Sequence, residues 1–383
     1  MLSLIRSNAS MHEIDHCLQR LTEEARSEEK AVSPDIEEMR TRVGAAILQN
    51  MSSADAQRTS RKEARPLSSR NVLSVQRLID TPIHHVQAAP WTRVTEDDHL
   101  VSHLVSLWAT WDNAFPSGVV FELFLRDMRS QNLESSFCSP FLVNCILAAA
   151  CPYSDYEEVR AHQGRTSELM GRFVKEAEKH LEEDDFKTSI TNVQGLSILF
   201  LLFLKMNQDR KGFGCVTRAT SLCGELMRAR QKFVSMAETE EKAKEVSYVV
   251  DYACWGAFCS TTGAFLLWQR PQSLFEPSPP YPDAIGVYEP LLEKKWSPYP
   301  REGDDQEAFL DEVWHQWSSL AMLERELTQV LYEQSKQPDP AEDVPRQEAL
   351  RNLDSRFTRW LDGLPNHFKK LGPWTPPSVF VLR

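Results

Sequence analysis

The sequence predicts an all-α fold: a large irregular helical bundle with an N-terminal helical arm and a linker. Three observations carry this. Glycine is scarce, with 14 in 383 residues, while proline counts 22, as expected of helices joined at proline-marked breaks. Apolar residues recur at three- and four-residue spacing through most of the chain. No repeat with a fixed period of roughly 30 to 50 residues occurs, which argues against a regular solenoid.

Composition narrows the function classes. Apolar residues make up 42%, with ten Trp and eighteen Phe, enough bulk for a sizeable core. The 43 basic and 55 acidic residues give a net charge of −12, which excludes a general nucleic-acid-coating protein. The apolar run ending at Leu204 is far shorter than the roughly 20 residues of a membrane span and reads as a buried core helix. MLSLIRSNAS has too short an apolar stretch for a secretory signal. A reducing compartment is therefore expected, with the eight cysteines as core thiols.

The elements follow in order. Residues 1–51 read as an amphipathic helical arm, with Ile14, Leu18, Leu21 and Ala25, then Ile36, Met39, Val43 and Ile47, at helical spacing. Residues 52–95 lose that periodicity and carry Arg58, Arg61, Lys62, Arg65, Arg70 and Arg77, a basic flexible linker. The third region, 96–383, is one helical domain. Asp97 or Asp98 caps a helix with the stripe Leu100, Leu104, Leu107, Trp108 and Trp111. After the break at Pro116-Ser117-Gly118, Ser139-Pro140 marks a helix start, because serine accepts orphan amides and proline suits the first helical position. Residues 140–151 and 193–206 are apolar on nearly every side and must lie deep, the second opened by Thr191 or Asn192. Helices are also expected over 164–182, 212–232, 239–269, 305–336 and 345–363, with a loop of eight prolines over 271–300.

No catalytic or metal constellation emerges. The spacings Cys138-x6-Cys145, Cys145-x5-Cys151, Cys215-x7-Cys223 and Cys254-x4-Cys259 include no C-x2-C, the short turn that aims two thiolates at one zinc ion. His99 and His103 stand at i, i+4, but Leu100 occupies the place of the hydrolytic Glu. They read, like His12 and His16, as polar surface histidines. Gly195-Leu196-Ser197 begins like a nucleophile elbow, yet Leu199 replaces the second glycine. A terpene-cyclase-like enzyme would hold Mg²⁺ on an aspartate-rich helix face, but none of Asp97-Asp98, Asp184-Asp185 or Asp304-Asp305 has a carboxylate three residues on. The sequence therefore reads as a non-enzyme without a catalytic, cofactor, metal or DNA-binding site of its own.

Several segments resemble, in order, the regulatory region of fungal binuclear-zinc-cluster (Zn2Cys6) transcription factors, the middle homology region. They are the stretch from His103 to Trp111, Phe121-Glu-Leu-Phe-Leu-Arg-Asp-Met128, and Phe137-Cys-Ser-Pro-Phe-Leu-Val-Asn-Cys-Ile-Leu-Ala-Ala-Ala-Cys151. Phe173-Val-Lys-Glu-Ala177, Ser189-Ile-Thr-Asn-Val-Gln-Gly-Leu196, Trp255-Gly-Ala-Phe258, Arg270-Pro271 and Phe357-x-x-Trp360-x-x-x-Leu364-Pro365 follow. The motif positions are Ser139, Pro140, Asn144, Gln194, Trp255, Arg270, Pro271, Trp360, Leu364 and Pro365, each with a structural role implied. Gln269 stands where that family usually has a glycine, which puts the local turn in question.

The resemblance implies a nuclear transcription regulator controlling metabolic or secondary-metabolite genes. It would act through protein partners, itself or another zinc-cluster factor, and through a small effector, without membrane contact. The zinc cluster is missing, so zinc is expected only if an N-terminal cluster exists elsewhere. The chain is then a fragment or shortened gene product, or a natural regulator that reaches DNA only indirectly. The alternative is a cluster-less interaction scaffold that pairs through the arm with a full-length factor and inhibits it. An effector would sit between helices, with Trp268 and Arg270 as candidate lining residues and plain packing as the favoured reading.

Overall fold

Helix α1 (Asp98–Trp111) starts at the expected cap: Asp97 Oδ1 accepts the Leu100 N–H at 3.0 Å. The computed structural model describes residues 80–113, 117–160, 167–270, 277, 295–301, 303–332, 340–369 and 375–380. The chain divides into two units, residues 1–72 and 73–383, and every described residue belongs to the second. The arm and the linker up to residue 79 lie outside the described residues, as does Pro271.

The fold is all-α. Eleven α-helices are present among the described residues, with one two-stranded sheet. Helix α2 (Phe121–Ser130) ends at Gln131 in the left-handed region, φ 56°. In α3 (Pro140–Ala150) the Ser139 hydroxyl accepts the Leu142 N–H at 3.2 Å, and proline occupies the first turn. A 3-10 turn, Cys151–Tyr153, follows it. Helix α4 (Glu168–Glu183) buries Leu169, Met170, Phe173, Val174, Ala177 and Leu181 on one face.

Helix α5 (Ile190–Lys205) is capped by Ser189, earlier than the expected Thr191 or Asn192. Asn192 lies inside the first turn, and its side-chain amide donates to Asp184 Oδ2 (3.0 Å) and the Lys187 carbonyl (2.8 Å). It ties down the preceding loop instead of ending the helix. Helices α6 (Asp209–Ser235) and α7 (Glu240–Leu267) form a long antiparallel hairpin. Strands β1 (Lys295–Trp296) and β2 (Gln306–Glu307) pair antiparallel, Lys295 opposite Glu307. That pairing delays α8 (Leu310–Tyr332) relative to the expected start at 305. Helix α9 (Pro340–Gly363) and the short α10 (Asn366–Lys369) and α11 (Pro377–Phe380) complete the described elements.

Helix α5 is the centre, packing against α3, α6 and α7. Helix α1 packs on α3, α7 on α8, and α8 on α9. Every residue of α3 after Pro140 is buried, as its unbroken apolar character required. Residues 246–265 of α7 are nearly as deep, although Asp251, Ser260, Thr261 and Thr262 interrupt their apolar run. Ser260, Thr261 and Thr262 hydroxyls donate to carbonyls three or four residues back, which removes the penalty of burying them.

Packing starts before residue 96. Trp91 is fully buried and its indole N–H donates to the Met128 carbonyl at 2.9 Å. Ser102 Oγ bonds both the N–H and the carbonyl of Val86 at 3.0 Å, and Ala88 N–H donates to Asp98 Oδ1 at 2.8 Å. Val86, Ala88 and Trp91 bury apolar surface without helical periodicity, so hydrophobic patterning gives no sign of it. No helix among the described residues is long and apolar enough to cross a membrane.

Candidate functional site

The motif residues do not converge on a reacting centre; most clamp segments together. Asn144, fully buried on α3, donates to the Trp91 carbonyl (3.0 Å) and the Pro140 carbonyl (2.8 Å). Its Oδ1 accepts the Thr92 hydroxyl at 2.8 Å. One amide thus fixes the 91–92 segment onto the start of α3. Gln194 on α5, 1% exposed, donates from Nε2 to the Gly118 carbonyl at 2.7 Å.

Gly256 on α7 meets the same segment. A Cβ there would stand 2.6 Å from both the N and the Cα of Gly118, and Gly118 itself has φ +70°. Trp255 beside it is buried and stacks edge-on to Phe258 at 5.4 Å. Backbone therefore touches backbone where residues 117–118 cross α7, and only glycine permits it. Further on, Trp360 donates its indole N–H to the Gln316 carbonyl at 3.2 Å, joining α9 to α8. Leu364 packs with Val313, Phe368 and Val379, and the Pro365 carbonyl accepts the Phe368 N–H at 3.1 Å.

Arg270 is exposed, its guanidinium 5.2 Å from the Phe213 ring centroid. Trp268 packs against Phe200, Phe213 and Phe265. Both serve packing at the end of α7, and neither lines the cavity described below. Gln269 adopts φ 54°, and the 269–270 amides close on the Leu266 and Phe265 carbonyls. The turn that usually takes glycine is kept, with glutamine strained into it.

His103 is not a surface histidine but is fully buried. Its ring stacks on Tyr156 at 3.8 Å and 5°, with Nδ1 2.7 Å from the Tyr299 hydroxyl and Nε2 3.0 Å from Ser154 Oγ. Its polar ends are satisfied from the 3-10 turn region and the 295–300 segment, both distant in sequence. The His99 ring runs nearly parallel to Tyr156 at 6.4 Å instead of sharing a ligand with His103. His12, His16 and Cys17 lie outside the described residues.

Two charged pairs hold helices together. Arg230 on α6 donates from Nε (2.7 Å) and Nη2 (2.6 Å) to the two carboxylate oxygens of Asp251 on α7, and from Nη2 to Ser247. Burial pushes the Asp251 carboxyl above its ordinary range, and the Arg230 hydrogen bonds oppose that. Asp112 accepts both the Lys205 amine (2.5 Å) and the Tyr153 hydroxyl (2.7 Å), linking α1, α5 and the 3-10 turn.

Five of the described thiols are poor nucleophiles. Burial pushes those of Cys138, Cys145, Cys151 and Cys259 up, and that of Cys215 to about 12. No three His, Cys, Asp or Glu side chains group to hold a metal ion among the described residues.

A cavity of about 540 Å³ opens where the first turns of α3 and α5, the α6–α7 turn and the loop after α2 meet. Phe141, Ile190, Phe233 and Val246 form apolar parts of its wall, and Leu133 and Met236 stand exposed at its edge. Its size lies in the range of small-molecule sites, roughly 300–1,000 Å³.

The family profile described as the fungal specific transcription factor domain matches residues 106–362. The chain is 29% identical over 292 residues to the notoamide biosynthesis transcriptional activator notL' of Aspergillus versicolor, covering 75% of this chain and 44% of that protein. It is 25% identical over 305 residues to the nitrogen assimilation transcription factor nirA of Emericella nidulans, covering 76% and 33%. It is 24% identical over 309 residues to the nitrogen assimilation transcription factor nit-4 of Neurospora crassa, covering 76% and 27%. The chain thus spans less than half the length of these curated relatives. No solved structure matches it. The family and these relatives are transcription factors, not enzymes. With its profile match running from the middle of α1 almost to the end of α9, the chain belongs to the fungal specific transcription factor domain family.

Proposed function

We propose that this chain regulates transcription in the nucleus, controlling metabolic or secondary-metabolite genes through protein partners and a small effector. The observation that supports it best is the coincidence of the family match, 106–362, with the helical core built around α5. The relatives' names span both nitrogen assimilation and the making of a secondary metabolite. In this reading the arm 1–51 contacts a partner, the part of the 52–95 linker before residue 80 tethers it, and 96–383 with its docked 80–95 segment is the regulatory domain. Asn144, Gln194 and Trp360 hold its segments in register. The sequence contains no C-x2-C pair, so DNA is reached through a partner or through a module outside this sequence.

The test tethers the full chain to a heterologous DNA-binding module upstream of a reporter in a fungal host. Reporter output should change with the chain attached and respond to growth conditions. An expressed, operator-bound fusion that leaves output unchanged under every condition overturns the proposal. The partner contact is tested by co-purification with a zinc-cluster factor, which Leu18→Asp plus Leu21→Asp should abolish.

A further inference from the structure

We propose that the cavity bounded by the first turns of α3 and α5 and the α6–α7 turn binds an uncharged, largely apolar small molecule carrying hydroxyl or carbonyl groups. This rests on reading the domain as effector-responsive, and it names the site and the ligand chemistry. The wall explains the apolar body. Phe141, Ile190 and Val246 are 3%, 5% and 6% exposed and form a greasy floor with Phe233. At the edge, Leu133 and Met236 are 51% and 70% exposed, an arrangement water disfavours and an occupant would cover.

The polar groups explain why the occupant is uncharged. Carboxylates on the wall outnumber amines: Glu134, Glu183, Asp184 and Glu238 against Lys187 and Lys242. An anion would find only Lys187 and Lys242 as cationic partners on the wall, and Lys187 is already held by Asp184. A cation at Asp184 or Glu183 would have to displace partners already in place. Asp184 holds Lys187 at 2.5 Å and the Asn192 amide at 3.0 Å, and Glu183 holds His180 at 3.4 Å and Lys179 at 3.7 Å. The wall also carries neutral donors. Ser139 Oγ accepts the Leu142 N–H, which leaves its O–H to donate, and Ser136 beside it presents a second hydroxyl.

The position suits a regulator. An occupant would bridge the α6–α7 turn, through Met236 and Ala237, to the loop after α2, through Leu133 and Ser136. It would bias whichever packing of those segments it contacts better.

The experiment titrates the purified full chain with Nile red, a neutral dye bearing a carbonyl, and separately with anilinonaphthalene sulfonate, an anion. Nile red should bind saturably at one site per chain, at least tenfold tighter than the anion. Ala237→Trp and Ser136→Trp fill the cavity from opposite walls and should each weaken Nile red at least tenfold, with the helical circular dichroism retained. As a readout independent of those variants, maleimide labelling of Met236→Cys should slow in saturating Nile red. The proposal is overturned by unchanged dye affinity in either folded Trp variant, by tighter binding of the anion, or by unprotected Met236→Cys. Dye binding here without reporter activity would overturn the transcriptional reading and leave the cavity assignment standing. Reporter activity without dye binding would do the reverse.

Discussion

Replacing glycine by alanine at three helical positions should give opposite signs, because only one of the three has a neighbour in the way. At Gly256 on α7 the new methyl carbon would sit 2.6 Å from the Gly118 N and Cα and 3.1 Å from the Ser117 carbonyl carbon. The obstacle is backbone and cannot rotate aside. It is also held, since Gln194 grips the Gly118 carbonyl at 2.7 Å and the Gly118 φ of +70° suits few other conformations. Overpacking of this kind costs about 1–3 kcal/mol or more, against which alanine regains at most about 1 kcal/mol of helix propensity. A contact of 2.6 Å with fixed backbone lies at the upper end of that range, so the net expectation is a loss of about 2 kcal/mol, or a fall in melting temperature of roughly 3–4 °C for the 96–383 domain.

Gly171 on α4 and Gly214 on α6 meet nothing within 4 Å, so alanine there should stabilise by about 0.5–1 kcal/mol each. Urea unfolding of the full chain, followed by circular dichroism at 222 nm as the usual helix signal, compares all three. If Gly256→Ala is as stable as the parent chain, or moves with Gly214→Ala, the backbone crossing at 117–118 is not where the structure puts it.

Burial beside Gly263 pushes the Glu324 carboxyl up to about 7, so the folded chain keeps a proton there that the unfolded chain releases near 4.5. Its contribution is therefore intact below pH 4.5 and is lost as pH rises through 7; unfolding free energies from urea titrations at pH 5 and pH 8 should differ by about 1–3 kcal/mol more in the parent than in Glu324→Gln. Gln269→Gly should raise stability by about 0.5–1 kcal/mol in thermal unfolding, by relieving the left-handed backbone at φ 54°. Arg230→Met alone strands the 6%-exposed Asp251 and should cost about 3 kcal/mol, whereas Arg230→Met with Asp251→Leu should recover most of it in a double-mutant cycle.

Local signals made the helices readable. Asp97 and Ser139 cap where a short acceptor precedes an apolar stripe, and the unbroken apolar run of α3 could only be buried. Where two candidate caps competed, the reading slipped: Thr191 and Asn192 lost to Ser189, because Asn192 finds partners in Asp184 and Lys187 that no local rule can anticipate. The order of motif segments pointed to the family, and the profile match over 106–362 carries the same assignment.

The chain's own letters determined an all-helical bundle, its two apolar central helices and its kinship, since periodicity, capping and segment order are short-range or linear properties. Folding alone decided that Trp91 and Val86 dock onto the bundle and that His103 lies buried between Ser154 and Tyr299. It also decided that Gly256 abuts Gly118 and that a cavity opens beside Phe141 and Val246. Each of these joins residues from 16 to 196 positions apart. Such contacts depend on how helices cross and which volumes are left between them, and pairings of that range leave no periodic trace along the chain.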